Sequence, residues 1–249
     1  MIAIAEDGLL VAAGVLAGIV GTAGGITSLI SYPALLLVGI PALPATVANT
    51  VAIVACWPGS AAASRPELRG QGPWLRRWIP VAAAGGTGGS VLLLVTPAGV
   101  FGQVVPFLIA AGSLALLLQP RITAGSQENG RRGAGLLLAA GVLALAFYNG
   151  YFGAGAGVLT LSLLLLTADS QLTRANALKN MLVGAASIAS AVTFVILARV
   201  DWAVVAPLAA GMLAGSTLGP RVARRMPPGL LRWLVALMGL GFAIRLWVS

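Results

Sequence analysis

Asn149-Gly150-Tyr151-Phe152-Gly153-Ala154-Gly155-Ala156-Gly157 lies just past the middle of the chain, inside a long apolar region without charge. Its four glycines fall within eight residues. Each costs about 1 kcal/mol against alanine in a helix interior, and glycine tolerates the positive φ that a sharp break needs. A helix broken inside a bilayer survives only where its backbone is buried in protein or lines a cavity. The break also frees N–H groups at the start of the next half-helix, a place for an anion. The stretch therefore reads as one half of a substrate site.

A second stretch of the same kind stands earlier in the chain. Gly18-Ile19-Val20-Gly21-Thr22-Ala23-Gly24-Gly25 aligns without a gap with Gly150 to Gly157. With two residues dropped from the second copy, Ala45-Thr46-Val47-Ala48-Asn49-Thr50 then meets Ala175-Asn176-Ala177-Leu178-Lys179-Asn180. Further on, Pro80 with Gly88-Gly89-Ser90 meets Pro207 with Gly215-Ser216-Thr217. The chain divides into two related halves, residues 1–125 and 134–249, joined by a polar linker at 126–133. Gly-interrupted apolar segments at corresponding places in two halves point to the binding site of a secondary transporter. The competing reading is that the glycines only let helices pack closely.

Composition sets the class. The 249 residues are 59% hydrophobic and 8% charged, with a mean hydropathy of +0.98; this is an integral membrane protein. With no histidine and one cysteine, Cys56, a disulfide frame and ordinary zinc or haem sites are excluded, and no cofactor is expected. The net charge of +9 does not indicate nucleic acid, because the arginines sit in short clusters between apolar spans. It reads as orientation charge facing an anionic cytoplasmic leaflet. The expected partners are the lipid bilayer and a small anion, with a second copy of the chain as a further candidate. Glu6 and Asp7 stand where a signal peptide needs base, so no cleaved signal is expected.

No charge occurs from Gly8 to Ser64, more than the roughly 20 residues of one crossing. Leu9–Val20 and Ile26–Val38 flank the first Gly cluster, and Ala45–Ala63, Ile79–Val95 and Gln103–Leu118 read as spans. Ala134–Phe147 and Val158–Thr167 flank the second cluster, and Thr173–Leu197, Val204–Gly219 and Leu230–Trp247 follow as spans. If each half crossed four times, the Arg-rich stretches 65–77 and 221–225 would face opposite sides, against the usual cytoplasmic bias. If each Gly-broken segment turns back to its own side, each half crosses an odd number of times. The clusters at 65–77, 121–132 and 221–225 then all face the cytoplasm. The expected fold is all-α integral membrane: two homologous halves as inverted repeats. Each opens with a Gly-broken, re-entrant-like helical hairpin followed by three transmembrane helices.

At these residues the chain resembles the sulfite exporter TauE/SafE family. The first-half pattern is Gly21 to Gly25, then Pro33, then Ala45 to Thr50; the second is Gly150 to Gly157, then Ala175 to Asn180. The second motif is the more specific, and the resemblance covers essentially the whole chain. Ala23 stands where a third consecutive glycine is common in the family. The resemblance implies a permease of the bacterial inner membrane for small organic or inorganic anions, often sulfur-containing, such as sulfite or sulfonates.

Lys179 is the only lysine in the chain. It falls within a span, and an intramembrane charge is a functional candidate by default; the alternative is a lysine that snorkels to the interface. The candidate substrate-binding residues are Gly21, Thr22, Gly24, Gly25, Asn49, Thr50, Asn149, Tyr151, Gly153, Gly155, Gly157, Lys179 and Asn180. The Asn and Thr side chains, with Thr160, would donate hydrogen bonds to oxyanion oxygens; helix-to-helix bonding is their alternative role. Tyr151 and Phe152 would wall the cavity or simply pack. The six carboxylates, Glu6, Asp7, Glu67, Glu128, Asp169 and Asp201, all fall in loops or at ends, so no proton carrier is expected at the midplane. An intramembrane enzyme acting on lipid phosphate would need a nucleophile with a base, or a metal, and the sequence offers neither. A non-transporting membrane assembly protein is the other alternative. The expectation is a transporter, not an enzyme.

Overall fold

A computed structural model describes residues 2–125, 134–169 and 171–223, with positions 237, 240, 241 and 244. Every regular element among them is a helix. The expected span Leu230–Trp247, the linker and Arg224–Arg225 lie outside the described residues, apart from those four positions.

The first half contributes α1 (Ile2–Gly24), α2 (Ser28–Leu37), α3 (Ala42–Ile53), α4 (Cys56–Ala63), α5 (Gly72–Val95) and α6 (Ala98–Gly125). The second contributes α7 (Ala134–Tyr151), α8 (Ala156–Thr167), α9 (Leu172–Leu197) and α10 (Trp202–Ala223). Among the described residues, Ala42–Ala62, Gly72–Val95 and Leu172–Leu197 are each long and apolar enough to cross a membrane.

Three expectations need adjusting. The span Ala45–Ala63 is interrupted by a turn at Val54 and Ala55. Pro58 supplies the cause: it has no N–H for the Val54 carbonyl, and its ring crowds that carbonyl. Trp57 N–H bonds the Val54 carbonyl instead, at 3.0 Å. Secondly, α5 begins at Gly72, seven residues before Ile79, with a proline in its first turn, where the missing N–H is harmless. Arg77 is thereby carried into the helix and lies 5.2 Å from the Trp78 ring centre. Thirdly, α1 begins well before Leu9 and its 23 residues reach about 34 Å.

The helices meet along seams of small residues. Gly14 and Gly18 of α1 face Gly211 and Gly215 of α10 in the same order, so the two run parallel; a Cβ on Gly14 would lie 3.0 Å from the Gly211 Cα. The second seam joins α5 to α7, also parallel. A Cβ on Gly85 would lie 2.8 Å from that of Ala146, and one on Gly89 would lie 2.8 Å from the Tyr151 nitrogen. Such close backbone approach replaces the hydrophobic drive that lipid does not supply between helices.

Two buried apolar clusters flank the centre. One gathers Leu29, Tyr32, Leu35, Phe101, Phe152, Val158 and Met212 with their neighbours. Within it Tyr32 and Phe152 meet edge to face at 5.1 Å, and Phe101 meets Tyr151 at 5.7 Å. The other joins Leu138 and Val142 of α7, Leu161 and Leu164 of α8, and Ala175, Leu178 and Leu182 of α9, with Trp78. Gly141 lies directly against the Leu163 side chain, so α8 returns alongside α7 after the break.

Candidate functional site

Both Gly clusters interrupt their helices. In the second, α7 ends at Tyr151, Gly153 and Gly155 take φ of 82° and 76°, and α8 starts at Ala156. In the first, α1 continues through Gly21 and ends at Gly24, Gly25 takes φ of 74°, and α2 starts at Ser28. The ungapped alignment therefore does not superpose the two breaks. Ala23 occupies the position aligned with Gly155, and alanine resists positive φ. The first helix runs on through Gly24 and breaks at Gly25.

The two clusters touch. A Cβ on Gly157 would lie 2.6 Å from the Gly25 oxygen and 2.7 Å from its Cα, so only backbone fits between them. Beside this contact lies a cavity of about 70 Å³ lined by both clusters, by α9 and by the α3–α4 kink. Of the expected residues, Gly21, Thr22, Gly25, Asn149, Gly153, Gly157, Lys179 and Asn180 line it.

The others lie elsewhere. Gly24 is the last residue of α1. Asn49 is buried one layer back, donating to Ser28 Oγ at 3.1 Å and accepting from Ser31 Oγ. Thr50 is buried on α3 and stands outside the lining. Tyr151 packs on Phe101, and Gly155 lies against Gly112 of α6. Tyr151 and Phe152 thus serve the apolar cluster and do not wall the cavity.

Lys179 is the one formally charged side chain in the lining. It is 1% exposed, and its Nζ has no hydrogen-bond partner among the described residues. It sits by the first break, 3.1 Å from where a Cβ on Gly25 would be. Snorkelling to an interface is therefore ruled out. An ammonium buried without a partner is costly, and an anion entering the cavity would offset that cost. Asp169, the nearest carboxylate along the chain, is instead engaged by Arg174 at 3.1 Å at the start of α9.

The neutral groups divide by what their protons do. Thr22 and Thr160 donate to the carbonyls of Gly18 and Ala156, each at 2.8 Å, so neither proton is free for an anion, contrary to expectation. Asn49 and Asn149 donate to Ser28 and Ser187, each at 3.1 Å. Those two serines line the cavity and donate no bond among the described residues, so their hydroxyl protons remain available.

Sequence reasoning missed Ser28, Ser187, Cys56, Trp57, Ser60 and Gly184, all in the lining. The signal for the group on the kink was Pro58, which breaks a span that otherwise reads as continuous. Ser28 and Ser187 carried no signal of their own, since serine is common between membrane helices.

Residues 9–246 match the family model described as sulfite exporter TauE/SafE. A "Probable membrane transporter protein" of Haemophilus influenzae is 28% identical over 239 residues, 92% of this chain and 90% of that protein. "Probable membrane transporter protein YfcA" of Escherichia coli K12 is 27% identical over 237 residues, covering 93% of this chain and 86% of YfcA. "Probable membrane transporter protein ORF9" of a Sinorhizobium species is 26% identical, covering 95% and 90%. No solved structure matches the chain.

Proposed function

Because the chain belongs to the sulfite exporter TauE/SafE family, a family of multi-pass membrane transporters and not of enzymes, we propose that it carries a small anion out of the cell through the cavity around Lys179. The substrate class is a sulfur-containing oxyanion such as sulfite or a sulfonate, and the membrane is the bacterial inner membrane. The observation that carries the reading is the buried, unpartnered Lys179 Nζ in a cavity with no carboxylate in its lining. The free hydroxyl protons of Ser28 and Ser187 add neutral donors. A negative interior drives each anionic charge outward by about 2.3 kcal/mol per 100 mV, so no proton carrier is needed.

Alternating access follows from inverted repeats, and three contacts support that arrangement. Gly25 and Gly157, one from the Gly cluster of each half, touch each other, so the two clusters meet. The seam α1–α10 and the seam α7–α5 are the same pairing with the halves exchanged. Finally, α8 folds back along α7 from the second break, as a re-entrant hairpin would. The inverted arrangement puts residues 65–77 and 221–225 on one side. Single cysteines replacing Arg69 or Arg221 in a Cys56→Ala background should both label from the cytoplasmic face; opposite faces would exclude inversion.

Transport is tested in proteoliposomes loaded with sulfite, methanesulfonate or acetate. Efflux of a preferred anion should quicken under an imposed negative-inside potential and vanish in Lys179→Ala. Efflux that requires a pH gradient, or that survives in Lys179→Ala, would overturn the reading.

A further inference from the structure

Trp57 stands at the kink between α3 and α4 and lines the same cavity as Lys179. Its indole edge lies over Gly184 of α9, where any side chain would collide with the Cδ1 and Nε1 atoms. Its Nε1 is buried and has no hydrogen-bond partner among the described residues. A buried indole N–H normally finds an acceptor, and leaving a buried donor unmade is destabilising. The indole nitrogen and the lysine ammonium are both donors only. They cannot satisfy each other, and both are buried donors without an acceptor among the described residues, on residues that line one cavity.

We propose that Trp57 is a second substrate-binding and specificity-determining residue: its indole N–H takes one oxygen of the anion whose charge Lys179 balances, and Gly184 leaves the space in which the indole lies. This rests on the cavity around Lys179 being the anion site. A polyatomic oxyanion presents separate oxygens to the two donors, which a spherical halide does not. Trp57 thus favours oxyanions, while Lys179 alone answers to charge.

The test uses the full chain in nanodiscs with sulfite and methanesulfonate as probes and calorimetry as the readout. Trp57→Phe keeps an aromatic ring over Gly184 and removes the N–H. It should weaken binding of both probes roughly 3- to 10-fold and leave competition by chloride unchanged. Gly184→Ala, which displaces the indole, should weaken them similarly. In the parent chain, with the indole nitrogens of its six tryptophans isotope-labelled, the resonance missing from Trp57→Phe should move downfield on saturation with sulfite. Unchanged affinity in Trp57→Phe, or an unmoved resonance, with binding lost in Lys179→Ala, overturns the role of Trp57 and leaves the site standing. Unchanged affinity in both variants overturns the site and the proposal together.

Discussion

Asn49 and Lys179 occupy matching positions in the two halves, and their surroundings treat them in opposite ways. Asn49 is enclosed by Ser28 and Ser31, bonding to both. Lys179 is equally buried and bonds to nothing described. The helices that carry them differ as well. Pro58 splits the first into α3 and α4, whereas α9 runs unbroken from Leu172 to Leu197. In the first half the matching position is part of a bonded frame, and the kink that follows carries Trp57 in the cavity lining. In the second an unbroken helix holds the one formally charged side chain of that lining. Matching sequence positions thus have unlike surroundings.

The largest expected effect comes from erasing the charge difference. Lys179→Asn makes the two positions alike and removes a charge-assisted hydrogen bond, worth about 1.5–3 kcal/mol. Anion affinity by calorimetry should fall roughly 10- to 150-fold, while the melting temperature holds or rises because an unpaired buried charge is gone. Lys179→Arg should also bind poorly, since a planar fork does not replace a compact ammonium. Affinity within about twofold of the parent in Lys179→Asn would break the comparison.

Next comes the contact between the halves. Gly157→Ala puts a methyl group 2.6 Å from the Gly25 oxygen, an overpacking that costs about 3 kcal/mol. The melting temperature should drop by several degrees, read by intrinsic fluorescence. Gly102→Ala is the control: nothing lies within 4 Å of its added carbon, and inside a helix it should be neutral or slightly stabilising. A smaller loss is expected from Asn49→Ala, which strips Ser28 and Ser31 of a partner, at about 1–2 kcal/mol. It should show as lower stability; a collapse of binding at full stability would move Asn49 back into the site. The smallest effect belongs to Pro58→Ala. The variant restores an N–H for the Val54 carbonyl, so the helix should close and the labelled indole resonance of Trp57 should move; an unmoved resonance would mean that the indole's seat on Gly184 holds the bend.

The breaks could be read from the chain because four glycines crowd into eight residues, whereas the seam glycines stand in unbroken helices; the burial of Lys179 fits its reading as a lone lysine inside a span. The register of the first break was harder. Gly21, Gly24 and Gly25 can each take positive φ, and only the folded chain shows that Gly25 is the one that does. Asn49 could be seen to be polar and buried but not to be satisfied, since its partners lie 18 and 21 residues away and only folding brings them to it. Thr22 and Thr160 looked like donors until their own helices claimed their protons. Trp57 was hidden by its commonest role, because an aromatic in an apolar span packs by default. What marks it is an unanswered N–H, and that exists only once the chain is folded.

Cys56, beside Trp57, is the only cysteine in the chain, and it stands in the cavity wall, half-buried and free. The unaltered protein thus carries one thiol, on the wall of the cavity proposed to hold the anion. A membrane-impermeant thiol reagent added from one side, then the other, would report which face of the bilayer the cavity is open to at that moment. With and without sulfite, a change in the rate of that single reaction would register the cavity wall becoming more or less accessible as the proposed anion binds.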